Sequence, residues 1–223
     1  MIDLALEVVR QRRMLVARFA RRQRFSSWAL VGGGAARGRA VAWCQVNDHE
    51  LTPEIDACAL LAERLAIAGV PDAVGLLTSS DVGRYVHHAA TSAGLDARCV
   101  VTVGLGNRLR AGDGPGPARP VGTINLLCAL SRPLDERAMV EATALCAEAR
   151  AVAVLESGAR SVRSGLPASG TGTDCQVIAA PEAADDDEPL TFVGKHTEAG
   201  ALIGQIVLSA VTTGVRAWLD EHG

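Results

Sequence analysis

Lysine is almost missing from this chain: Lys195 is the only one, and arginine supplies the rest of the 22 basic residues. Aromatic residues are scarce at 3%, although 48% of the chain is apolar, so any core is built from Ala, Val, Leu and Ile. A strong excess of one charge is absent too. The formal net charge of −3 argues against a nucleic-acid groove or an acidic membrane surface as the main partner. The six cysteines stand singly, with no C-x-x-C pair. That pattern predicts buried, reduced thiols in a cytosolic protein and excludes a disulfide framework or a zinc ribbon. No apolar h-region follows the arginines between Arg10 and Arg24, which speaks against a signal peptide. No uninterrupted apolar run approaches the roughly 20 residues that span a bilayer.

What is present suffices for one continuous core, since 223 residues can bury one. Residues 1–24 are Arg-rich with interleaved apolar positions and read as a short helix followed by an edge strand. Residues 25–223 read as a single domain. Within it, Phe25–Val31 and Arg39–Val46 flank a triple glycine and predict a hairpin. Helices are expected at 53–68, 81–93, 135–157 and 199–220, with Asp135 and Gly158 as start and stop of the third. Strands are expected at 74–78, 97–103, 122–127, 175–180 and 190–194. The class is α/β or α+β, a mixed sheet with helices packed on it. Two helix–strand–strand units (81–127 and 136–194) suggest a duplication. The Gly/Pro-rich stretch 111–120 is a lid candidate, and Asp185–Glu188 a solvated turn.

Several chemistries fail on spacing. The glycines at 32–34 make no dinucleotide fingerprint, because its third glycine would fall on Arg37. Gly194-Lys195 imitates the end of a P-loop, but Pro189 and His196 stand where that motif needs Gly and Ser/Thr. No G-x-S-x-G elbow occurs, and no His/Cys/carboxylate cluster has metal-ligand spacing. What remains is Ser169-Gly170-Thr171-Gly172-Thr173-Asp174, too small and polar to serve packing, and the segment Gly194-Lys195-His196-Thr197. Glycines there let a backbone approach a ligand, and hydroxyls and bare N–H groups supply donors. Asn125, an amide inside an apolar strand, either bonds a neighbouring loop or donates into a pocket.

Five segments in order carry a resemblance. They are Ser26-Ser27 before the glycine turn, Val103-Gly104-Leu105 with Asn107, Gly122-Thr123-Ile124-Asn125, Gly170 to Asp174, and Gly194-x-His196-Thr197 with Gly200. Together, over about residues 25–220, they resemble the adenosylcobinamide amidohydrolase family. The resemblance implies corrinoid salvage: hydrolysis of the amide joining aminopropanol to a corrin side chain, giving adenosylcobyric acid. It implies a corrinoid small molecule as substrate; residue spacing and net charge lead us to expect no metal or other cofactor and no nucleic-acid or membrane partner. It leaves a homo-oligomer open. The Phe25–Trp28 segment and the Arg-rich entry depart from the expected pattern. For this chemistry His196 is the candidate base and then acid, with Asp174 orienting it or activating water. Asn125 and Asn107 are candidate oxyanion or amide donors. Ser27, Thr123, Gly170, Thr171, Gly172, Thr173, Lys195 and Thr197 complete the candidate substrate contacts. The nucleophile is water or one of Thr171, Thr173 and Thr197. Two alternatives remain open: a corrinoid- or nucleotide-binding protein without turnover, and an amidohydrolase acting on another amide.

Overall fold

The computed structural model describes residues 4–116 and 122–222. The elements run β1 (Leu6–Gln11), β2 (Met14–Ser27), β3 (Gly34–Gln45), α1 (Ala57–Ile67), β4 (Val74–Thr78), β5 (Val86–Ser92), β6 (Leu95–Val103), β7 (Arg108–Leu109), β8 (Ile124–Leu130), α2 (Glu136–Glu156), β9 (Gly170–Thr171), β10 (Cys175–Pro181) and α3 (Glu198–His222). Eight strands form one mixed sheet in the order β4-β3-β2-β10-β8-β6-β5, with β1 added to β2. β10 and β8 are parallel, as are β3 and β4; the other pairs are antiparallel. β7 and β9 make a separate two-stranded ribbon.

Helix limits follow from chemistry at the caps. The Asp56 carboxylate accepts from Cys58 N and Ala59 N, so α1 starts later than its proline suggests. Asp135 caps α2 by accepting from Ala138 N at 2.8 Å, and Gly158 at φ 78° ends it. Thr197 caps α3, its Oγ1 accepting from Gly200 N at 2.9 Å. In sequence α3 is long and apolar enough to cross a membrane. Here its apolar positions, Leu202, Ile203, Ile206, Val207, Ala210 and Val211, are buried.

The sheet folds over on itself. Inward residues of β2, β3 and β4 (Leu15, Ala17, Val41, Trp43, Leu76) share one core with inward residues of β6, β8 and β10 (Val100, Leu127, Val177, Ala179). The alternate residues face outward, as the period of two in a strand requires. Val16, Ala40 and Ala42 pack under α1, through Leu61 and Leu65. Leu126, Cys128, Cys99 and Ile178 pack under α2 and α3. The layering is therefore helix, sheet, sheet, helices.

Four expectations are corrected. Residues 6–24 form no helix; they are β1 and most of β2, joined by a tight turn with Arg12 at φ 50°. The predicted helix at 81–93 is β5. Asp81 does cap a helical turn, through Gly83 N, but that turn ends at Arg84. Ala93 and Gly94, both at positive φ, then fold β5 against β6 as a hairpin. Residues 190–194 form no ladder, because Val193 N is taken by the Glu141 carboxylate at 2.7 Å. With neither element present, the duplicated helix–strand–strand unit is absent from the described residues. The lid candidate 111–120 lies partly outside the described residues.

Candidate active site

The folded sheet brings five strand ends to one edge: the starts of β8 and β10, and the ends of β2, β4 and β6. A cavity of about 540 Å³ opens there. Its polar side is Asn107, Gly122, Thr123, Asn125, Thr173 and Asp174; its apolar wall includes Trp28, Leu30, Leu51 and Ala57. A second cavity of about 790 Å³ shares Val46 and Ser79 with it and continues over Ser80, Arg84 and Trp218.

Asn125 sits 2% exposed at the head of β8. Its Nδ2 donates to the Leu77 carbonyl at 2.6 Å, and its own carbonyl accepts from Trp43 Nε1 at 3.1 Å. It thus ties β8 to β4 and β3 across the fold of the sheet, with one of its two side-chain N–H groups given to Leu77. Thr123, 5% exposed, directs its hydroxyl at the Thr173 carbonyl (2.9 Å) or at Asn125 Oδ1 (3.3 Å); one proton serves only one of them. Thr173 Oγ1 in turn donates to the Gly122 carbonyl at 3.2 Å. The main-chain N–H groups of Gly106 and Asn107 take no acceptor among the described residues. Both lie tightly against Gly122: a methyl there would come 2.6 Å from Gly106 N and 2.7 Å from Asn107 N.

Asp174 borders the same cavity, but its carboxylate is fully engaged. Oδ1 accepts from Ile124 N at 2.9 Å and Thr171 Oγ1 at 2.5 Å; Oδ2 accepts from Thr171 N at 2.8 Å and pairs with Arg150 at 2.9 Å. The side chain is 3% exposed. A carboxylate so surrounded fixes the Gly170–Thr173 turn against the start of β8, and has no free lone pair directed at a substrate. Cys175 follows it on the cavity wall. Burial pushes its thiol up to about 11, so it stays protonated at neutral pH and is a poor nucleophile.

The expected residues therefore divide. Asn107, Thr123, Asn125, Gly172, Thr173 and Asp174 line one cavity. Gly170 and Thr171 hold Asp174 from behind it, and Ser27 bonds Ala29 N at 3.3 Å beside the apolar wall. Lys195, His196 and Thr197 are elsewhere. Lys195 pairs with Glu148 at 2.6 Å on the surface, Thr197 is a helix cap, and His196 is exposed. Glu198, two residues on, bonds Ser92 at the hairpin end of β5 and β6. The cavity lies beyond Val103, at the other end of β6. Strand rise puts those two ends roughly 26 Å apart. The expected pairing of Asp174 with His196 is not made.

A family model for adenosylcobinamide amidohydrolase matches residues 3–223. The chain belongs to that family. It is an amide-hydrolysing enzyme. No curated protein matches it. Among solved structures, the PH0078 protein from Pyrococcus horikoshii OT3 superposes with a TM-score of 0.48 at 9% identity, covering 92% of this chain and 76% of that one. A Burkholderia sp. beta-aminopeptidase superposes with a TM-score of 0.45 at 15% identity, covering 91% of this chain and 78% of its own. Three of the family segments, around Asn107, Thr123–Asn125 and Gly172–Asp174, meet at the cavity, whereas the Gly194–Thr197 segment starts α3. Sequence reasoning missed Arg150, which no local motif marks, and the apolar wall, which only the fold assembles.

Proposed function

We propose that the chain hydrolyses the aminopropanol amide of adenosylcobinamide, giving adenosylcobyric acid, with the Thr123 hydroxyl as attacking group. The family match over residues 3–223 supports this choice of substrate. The position of Thr123, buried at the head of a central strand and open to the cavity, supports its role. Amide hydrolysis needs donors aimed at the oxygen that becomes negative. The unengaged N–H groups of Gly106 and Asn107 beside Thr123 suit that need, and the Asn107 side chain, also on the cavity wall, suits recognition of the amide. A space of about 540 Å³ suits one amide side chain with its aminopropanol and is too small to bury a whole corrin ring with it. The ring then rests at the mouth, against the half-exposed Trp28 and Leu30, with the adjoining cavity taking peripheral groups.

The test is incubation with adenosylcobinamide followed by mass analysis of the corrinoid and detection of free aminopropanol. Wild type should yield both products and Thr123→Ala neither, with an unchanged circular-dichroism spectrum. A visible-spectrum shift without aminopropanol release would instead mark a corrinoid-binding protein. Full turnover by Thr123→Ala would remove the hydroxyl from the mechanism.

A further inference from the structure

Opening one substrate amide after another needs a base that takes the threonine proton at each turnover, and the cavity wall offers none in the intact chain. A single cut at the neighbouring peptide bond needs only passage of that proton to the departing nitrogen. The cavity's ionisable wall residues among those described are Asp174 and Cys175. Asp174 is consumed by Arg150, Thr171 and Ile124 N, and the Cys175 thiol is held protonated. His49 and Asp81 line the adjoining cavity, not this one. Residues 117–121, Pro-Ala-Arg-Pro-Val, bring no carboxylate, imidazole or thiol. A base can still arise at Thr123 itself. An α-amine on the same residue as the hydroxyl serves as base in N-terminal threonine hydrolases.

We propose that the chain cuts itself between Gly122 and Thr123, and that the new α-amine of Thr123 is the base for amide hydrolysis. The inference rests on Thr123 as attacking group. Three contacts at that bond support it. The Thr173 hydroxyl already polarises the Gly122 carbonyl at 3.2 Å. The N–H groups of Gly106 and Asn107 lie against Gly122, without acceptors among the described residues. Backbone packing this close leaves glycine as the residue that fits before the cut: a methyl at 122 would also come 2.9 Å from the Gly104 carbonyl.

The step balances within the chain. Thr123 Oγ bonds to the Gly122 carbonyl carbon, the C–N bond breaks, and the hydroxyl proton passes to the departing nitrogen. Water then hydrolyses the ester, giving the Gly122 carboxylate, the free Thr123 hydroxyl and its α-amine. One water is consumed per chain. Afterwards β8 begins at a free amine beside the cavity, while its pairing with β6 and β10 keeps both fragments in one molecule.

Intact-mass analysis of the purified full chain tests this. Wild type should give two fragments whose masses sum to the chain plus one water, the second reading Thr123-Ile124-Asn125-Leu126 by N-terminal sequencing. Thr123→Ala should remain whole and Thr123→Ser should be cut. Thr173→Val should slow cutting after cell-free synthesis. kcat/KM should rise with pH as an amine of pKa about 8 deprotonates. An intact wild-type chain with full turnover overturns self-cleavage, and if Thr123→Ala is then dead the proposed function survives it. A cut wild-type chain with no action on adenosylcobinamide does the reverse. Cutting of Thr123→Ala at the same bond would mean a foreign protease and also overturns the proposal.

Discussion

Replacing Asp174 with alanine removes the common acceptor of Ile124 N, Thr171 N and the Thr171 hydroxyl, and leaves the Arg150 guanidinium without its anion. Arg150 is 16% exposed, and its Nε already lacks a partner. Breaking a buried ion pair from one side costs about 3–5 kcal/mol, because an uncompensated charge stays behind. The freed N–H groups add to this, while water entering from the cavity recovers part of it, so about 3–5 kcal/mol is the expected total. For a chain of this length that is roughly 6–20 °C in Tm. Urea denaturation of wild type, Asp174→Ala, Arg150→Met and the double variant reads it directly. The double variant should lie well above the sum of the singles, because removing both charges leaves no uncompensated charge, although the donors Ile124 N, Thr171 N and Thr171 Oγ1 still lack Asp174. A loss below about 1 kcal/mol for Asp174→Ala, the range of an exposed pair, would refute the account of Asp174 as a clamp.

Other perturbations separate the site from its surroundings. His196→Ala should leave kcat and KM unchanged in aminopropanol release, since His196 is exposed and does not line the cavity; inactivation would contradict that placement. Asn125→Ala should cost about 1–3 kcal/mol by orphaning the Leu77 carbonyl, read by chemical denaturation. Gly200→Ala would place a methyl 2.0 Å from the Gly194 carbonyl, and the resulting shift at the start of α3 should cost about 1–3 kcal/mol in the same assay. Glu50 is held down at about 2 from 4.5 by Arg13, the Asn47 N–H and Arg64. Its folded value is the lower one, so its contribution is complete above pH 4.5 and lost as pH falls toward 2. Glu50→Gln should flatten the fall of Tm over that window; an unaltered slope would show that Glu50 does not contribute to it.

The elements legible in the sequence were those whose own residues decide them. β4, β6, β8 and β10 are short apolar runs, and α2 carries Asp135 at its start and Gly158 at its end. β5 was illegible because Asp81 signals a helix that Arg84 already ends, and because the alanines in Val86–Ser92 blur a period of two. β1 and β2 hid behind arginines, which alternate with buried Leu15, Ala17 and Phe25 only once the pairing register is known. Asn125 and Asp174 stood out as polar groups in apolar settings, and both are buried at the cavity. His196 stood out equally, yet its neighbours Thr197 and Gly200 do helix-starting work. Composition cannot tell a ligand-binding loop from a cap of the same residues, because both use hydroxyls and glycines for the same donors.

The two sides of the cavity have different origins. Thr123 and Thr173 are fixed by main-chain contacts at the strand heads, whereas Trp28, Leu30, Leu51 and Ala57 belong to the β2–β3 turn and the α1 region. Loop and helix-start positions accept exchange of side chain far more readily than a strand junction does. Selectivity for one amide over another can thus drift at the rim while the proposed reacting groups stay untouched, which makes this scaffold a natural starting point for relatives that open different amides.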